Sequence, residues 1–172
     1  MNAIVNSESR NAAHKTPVVV VVEGYRDNWE LPISDSVTVA EFAAMAGHQA
    51  GISGDLEVQL ENRAAPLVGD QPLLGQLPKE FVVVHVATKG EIDATFNFNG
   101  REVHHLFLPS ATIRALTNWA VGTEGFGLEG PASDYQLKHA GEILEPDLHL
   151  GQVAHGQKSI EFDLVLKIKP QG

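Results

Sequence analysis

The feature that most constrains this chain is that it repeats itself. Gly24 recurs as Gly100, and Leu74-Gly75-Gln76-Leu77 recurs as Leu150-Gly151-Gln152-Val153, both at a spacing of 76 residues. Thr38-Val39 and Thr112-Ile113 stand 74 apart, so a short insertion or deletion intervenes. Identity between the halves is otherwise low, but the patterns follow in the same order, which is the mark of an internal duplication. A chain of 172 residues leaves one domain or two open. The repeat decides for two small units meeting near Gly90. We expect a disordered polar tail over residues 1–16, the first unit over residues 17–89, the second over residues 90–169, and a short terminal segment over residues 170–172.

Each unit presents the same series of local signals. Residues 18–22 are a β-branched run typical of a strand, residues 23–28 hold a turn, and residues 29–33 alternate as a second strand. Thr38-Val39-Ala40-Glu41 fits a capping box that opens a helix. Val39, Phe42 and Ala46 form its apolar face, and Gly47 is the expected stop. Leu56, Val58 and Leu60 alternate as a third strand. Residues 66–68 read as a short fourth strand, residues 73–77 as a tight turn and residues 81–87 as the last strand.

In the second unit, Ile92, Ala94, Phe96 and Phe98 alternate with polar residues, and Asn99-Gly100 is a strong hairpin signal. Residues 103–108 return as the partner strand. Ser110 is the expected cap of a helix with Ile113, Leu116 and Ala120 inward, ending at Gly122. Residues 135–139, 142–144 and 160–168 supply the remaining strands. The order predicts an α+β fold: two tandem β-grasp units, each a mixed sheet packed on one main helix.

Residues 135–151, then Leu164-Val165-Leu166-Lys167-Ile168-Lys169 and a final Gly172, resemble the second half of ubiquitin. The likeness covers an apolar strand, an Ala-Gly turn, an acidic turn, a leucine turn and a Leu-Val-Leu strand running into a basic and aliphatic tail. The first unit repeats it more loosely in residues 56–60 and Leu67-Val68-Gly69-Asp70. Two such units over residues 17–172 resemble the tandem ubiquitin-like modifiers: the interferon-induced two-domain modifier of vertebrates and, more closely, the bacterial Bil-type proteins encoded beside conjugation enzymes in anti-phage operons.

The resemblance implies a modifier whose Gly172 carboxylate is the point of covalent attachment, with residues 170–172 as the conjugation tail. It implies no bound cofactor, although ATP and Mg2+ would be used by the activating enzyme. The implied partners are an E1-like activating enzyme, an E2-like conjugating enzyme, a deconjugating protease and a lysine of the target protein. A residue without a side chain suits a carboxylate that must enter narrow active sites. In an extended tail Lys167 and Lys169 point to one face and Ile168 to the other, which suits strand-like docking in an enzyme groove. Ubiquitin ends in two glycines, whereas here Pro170 and Gln171 precede Gly172. Pro170 stiffens the tail and removes a donor, implying a dedicated activating enzyme that reads Lys167, Ile168, Lys169, Pro170 and Gln171. The recognition patch of ubiquitin maps to Leu137, Lys138, Asp163 and Val165. Lys138 replaces an isoleucine and Asp163 a histidine, whereas Val165 keeps a valine, so ordinary ubiquitin readers are poor partners.

Composition narrows the alternatives. The chain has no cysteine, so it has no disulfide, thiolate metal site, iron–sulfur cluster or thiol nucleophile. It can be carried by a thiol relay but cannot run one. With 12 Lys and Arg against 22 Asp and Glu, the net charge of −10 disfavours nucleic acid as a partner. No apolar run approaches the roughly 20 residues of a membrane span, and residues 1–17 lack the pattern of a secretory signal, so a cytoplasmic protein is expected. No catalytic constellation stands out, and no enzymatic activity of its own is expected. The competing readings are a non-covalent ubiquitin-like adaptor and, behind it, a hydrolase built on histidine and carboxylates.

Two weaker signals are set aside. His104 and His105 sit on opposite faces of a strand, and His139, His149 and His155 lack ligand spacing, so no metal site is expected and these histidines read as solvated. The glycines of residues 122–127 follow a helix instead of opening one, so that segment reads as a flexible connection and not a phosphate loop. The valine run at residues 18–22 is apolar on both faces. Its second face is expected to meet the second unit, a partner, or another copy of the chain through self-association of the first unit.

Overall fold

The computed structural model describes residues 15–61, 63, 65–80 and 83–168. The first unit runs through β1 (Lys15–Val22), β2 (Trp29–Ser34), α1 (Val39–Ala50), β3 (Leu56–Leu60), α2 (Leu73–Gln76) and β4 (Val83–Thr88). The second runs through β5 (Ile92–Phe98), β6 (Arg101–Phe107), α3 (Ile113–Val121), a 3-10 turn at Ala132–Asp134, β7 (Tyr135–His139), β8 (Glu142–Ile143), α4 (Leu150–Ala154) and β9 (Ser159–Leu166). The sheet orders are β2-β1-β4-β3 and β6-β5-β9-β7-β8. In each, the first strand lies parallel to the last, while the other pairings are antiparallel. A parallel pair of that kind needs a long crossover, and the helix supplies part of it. Both units are β-grasp domains of the ubiquitin-like kind.

Period-two alternation builds both cores. Val18, Val20 and Val22 of β1 pack with Val58, Leu60, Val84 and Val86 under Val39, Phe42 and Ala46 of α1. Ile92, Ala94 and Phe96 of β5 pack with Ile160, Phe162 and Leu164 under Ile113, Leu116 and Ala120 of α3. Phe42 and Phe96 are fully buried, a state worth about 1.5–3 kcal/mol each relative to exposure. Asn99 and Gly100 adopt φ of 48° and 75°, the two left-handed positions that a tight β5–β6 hairpin requires.

Several local expectations are corrected. Lys15 and Thr16, placed in the tail by sequence, pair with Ser34 and Ile33 in β1–β2; residues 1–14 lie outside the described residues. Helix α1 passes through Gly47 and ends at Gly51, whose φ of 68° is a left-handed cap. Gly47 is a close-approach residue instead, because a Cβ there would collide with the Leu56 side chain. Helix α3 is capped by Thr112, whose Oγ1 accepts from the Ala115 N–H at 3.1 Å, and not by Ser110. Residues 66–68 form no strand: Pro66 has no N–H, and the Gln76 amide takes both the N–H and the carbonyl of Val68 at 2.9 Å each. The segment after Gly122 is not loose. Its Phe126 is buried in the second core and donates its N–H to Ala120 O at 2.8 Å.

Strand β4 begins at Val83, Phe81 and Val82 lying outside the described residues, and β9 ends at Leu166. The leucine turns are short helices, and their alignment shifts by one. The fully buried leucine is Leu73 in α2 and Leu150 in α4, each directly after the residue that bridges to the helix cap, in the pairs Thr38–Pro72 and Thr112–His149.

The second face of the valine run meets the second domain. Val21 pairs with His85, which pairs with Gln59, and all three are buried although they point away from α1. Gln59 Oε1 accepts from the N–H of Ser110 at 3.3 Å, and Gly24 N–H donates to Gly151 O at 3.1 Å. The Lys158 ammonium donates to Thr88 O and Gly90 O at 2.8 and 3.3 Å, clasping the junction of the two domains. None of the helices in the described residues is long and apolar enough to cross a membrane.

Candidate functional site

The candidate site is the end of β9 and the sheet face beside it. Strand β9 lies in the interior of its sheet, between β5 and β7, so the chain leaves the second domain from a strand paired on both sides. Leu166 opposite Tyr135 is the last paired position, and the Lys167 N–H extends the pairing by one bond to Asp134 O at 2.8 Å. Ile168, two residues on from Leu166, is 95% exposed. Lys167 is exposed as well. Lys169, Pro170, Gln171 and Gly172 lie outside the described residues.

Of the four residues expected to form a recognition patch, three share the outer face. Lys138 is directly opposite Asp163, and Val165 is opposite Gln136, all on the side away from α3. Opposite charges at facing strand positions are mutually stabilising. Asn97, also paired with Asp163, donates to Glu161 Oε1 at 2.6 Å, so two carboxylates and one ammonium dominate this part of the face. Leu137 does not belong to it. Alternation turns Leu137 inward, and it is fully buried in the core.

The histidines divide by environment. His105 stacks on Trp119 with ring centroids 4.7 Å apart, whereas His104 lies on the other face, 3.5 Å from Asp93. His139 Nδ1 is 2.9 Å from Glu161 O, and His155 is exposed. His149, expected to be solvated, is buried between the domains and joins His85 and Glu61. Burial, and secondarily the repulsion of His149, pulls the His85 pKa down from 6.5 to about 3, so this imidazole is neutral. A sequence reading passes over His85 and Gln59 because each interrupts an apolar strand singly. The signal that finds them is their shared alternation with Val21.

Comparison with known proteins bears on the second domain directly. Residues 93–167 match the family model described as BilA ubiquitin-like domain 2. Over that stretch the second domain is similar to this BilA domain. The matched stretch begins in β5 and ends just after β9, so it takes in the outer face and Lys167. Among solved structures, ubiquitin of Caldiarchaeum subterraneum is similar over 48% of this chain and 100% of that chain, at 15% identity and a TM-score of 0.38. No curated protein matches. The likeness to Bil-type ubiquitin-like proteins therefore holds over residues 93–167, where its most specific residues lie.

Proposed function

We propose that the chain is a bacterial protein modifier of the cytoplasm, attached to target amines through Gly172 in anti-phage defence. The observation that carries this reading is that Lys167 and Ile168, both exposed, follow an interior strand of a domain similar to BilA ubiquitin-like domain 2. An E1-like enzyme would join the Gly172 carboxylate to AMP, using ATP with Mg2+ and releasing pyrophosphate. An enzyme cysteine would displace AMP to form a thioester, an E2-like cysteine would take over the acyl group, and a target lysine amine would displace that thiol to leave an isopeptide bond. A deconjugating protease would hydrolyse it. This chain supplies no thiolate and acts as cargo.

On this reading Lys167, Ile168, Lys169, Pro170 and Gln171 engage the enzymes as an extended peptide. Lys138, Asp163 and Val165 form the face that partners read, with Leu137 beneath it. The test is incubation with ATP, Mg2+ and the E1-like and E2-like proteins encoded beside it. A thiol-sensitive adduct and a lysine-linked product, both found by mass spectrometry and both lost on deleting Gly172, support conjugation. Unchanged partner binding with neither adduct would instead make the chain a non-covalent adaptor.

A further inference from the structure

Glu61, at the end of β3, His85, within β4, and His149, immediately before α4, each place one ligand atom within 4.8 Å of the others. Two come from the first domain and one from the second. Hydrogen bonds to Gln152 hold the His149 ring in place. Gln152 Nε2 donates to the carbonyls of Tyr25 and Arg26 at 2.8 and 3.1 Å, which fixes the orientation of its amide. Its Oε1 accepts from the backbone N–H of His149 at 3.0 Å and lies 3.2 Å from His149 Nδ1. On the other side of the ring, His149 Nε2 faces Glu61 Oε2 at 3.2 Å.

The unmet group in this cluster is on His85. This residue is 3% exposed, its ring lies 4.1 Å from that of His149, and its Nε2 has no hydrogen-bond partner among the described residues. A proton on His149 would satisfy the pair with Glu61 and leave His85 unserved. A metal ion serves all three.

We propose that Glu61, His85 and His149 form an interdomain site for one divalent transition-metal ion of the Zn2+ class. Two imidazoles and a carboxylate favour such an ion over Mg2+ or Ca2+, which prefer all-oxygen shells. Tetrahedral Zn2+ with bonds of about 2.0–2.2 Å holds its ligand atoms about 3.3–3.6 Å apart, so the His149–Glu61 spacing needs little change and His85 a shift on the order of 1 Å. The contact of His149 Nδ1 with Gln152 is the outer-shell hydrogen bond that zinc-bound histidines characteristically make. Glu61, with its side chain 40% exposed, gives the ion a way in from solvent. Because the ligands span both domains, the ion would clamp them together.

The test uses the full chain, stripped with a chelator and dialysed, then titrated with Zn2+ alone by calorimetry and with Co2+ by visible absorption. One ion per chain is expected, with a rise in thermal midpoint. Glu61→Gln and His149→Gln should each weaken binding at least about tenfold, while His104→Gln leaves it unchanged. In case His149→Gln fails to fold, nitrogen resonances of the native histidines give an independent reading, with ring nitrogens of both His85 and His149 shifting on saturation. Absence of binding with a doubly protonated His149, or binding indifferent to Glu61→Gln and without those shifts, would overturn the proposal.

Discussion

The backbone N–H of Gly24 donates to the carbonyl of Gly151 at 3.1 Å, so two glycines that mark the sequence repeat also join its two halves. Gly24 occupies a left-handed turn with φ of 81°, and Gly151 sits against Pro109, where an added Cβ would approach the proline ring carbon to 3.0 Å. Gly75, 76 residues earlier, has open space around it.

Gly151→Ala and Gly75→Ala should therefore act in opposite directions. Crowding against Pro109 is expected to cost Gly151→Ala about 1–3 kcal/mol. Gly75→Ala, in the short helix α2 with nothing to strike, should stabilise by up to about 1 kcal/mol through lower unfolded-state entropy. Denaturant unfolding of the two variants checks the sign of each.

Val21 and Val19 share one face of β1, but Val21 is buried and Val19 only partly so. Val21→Thr places a hydroxyl among groups buried at the domain interface and should cost about 1–3 kcal/mol. Val19→Thr should stay within about 0.5 kcal/mol. Thermal unfolding measures both, and small-angle scattering should report loosening of the domain pair in Val21→Thr alone.

Adjacent residues of β7 should separate stability from recognition. Leu137→Ala opens a cavity in the second core and is expected to cost about 2–5 kcal/mol by chemical denaturation. Lys138→Ala, on the outer face, should change stability by less than about 0.5 kcal/mol. If the chain acts as the proposed modifier, its affinity for an E2-like enzyme, measured by calorimetry, should fall in Lys138→Ala.

The capping box of α1 gives an acid-sensitive contribution. The Thr38 backbone N–H, followed by its hydroxyl, hydrogen-bonds the Glu41 carboxylate and holds its pKa below 4.5. The unfolded chain then binds the proton first. This contribution is present above 4.5 and lost as pH falls through the lowered pKa of the folded state. Glu41→Gln should remove that component, so its thermal midpoint should decline less steeply than that of the native chain in acid.

Much of the fold is legible in local pattern. The capping box at Thr38 and Glu41, the Asn99-Gly100 hairpin and the alternation in β5 all depend on neighbouring residues, and each forms as read. Errors fell where a distant atom decides. Gly47 lacks a side chain because Leu56 packs on it, while the helix runs on to Gly51, and Val68 leaves the sheet because the Gln76 amide occupies its backbone. Leu137 is a similar case, since likeness to a recognition patch competed with alternation and the core took the side chain.

By itself, the sequence determined the duplication, the two β-grasp units, the inward face of each strand, and a chain without a thiol of its own. Those properties follow from composition and from periods of two and 3.6 residues, which act within a few positions. Only the tertiary structure decided what covers the second face of the valine run and where His85, Gln59 and His149 lie. These side chains come from separate strands and from both repeats, and they meet because two folded sheets dock. Docking is set by the fit of whole surfaces, and no local period encodes it.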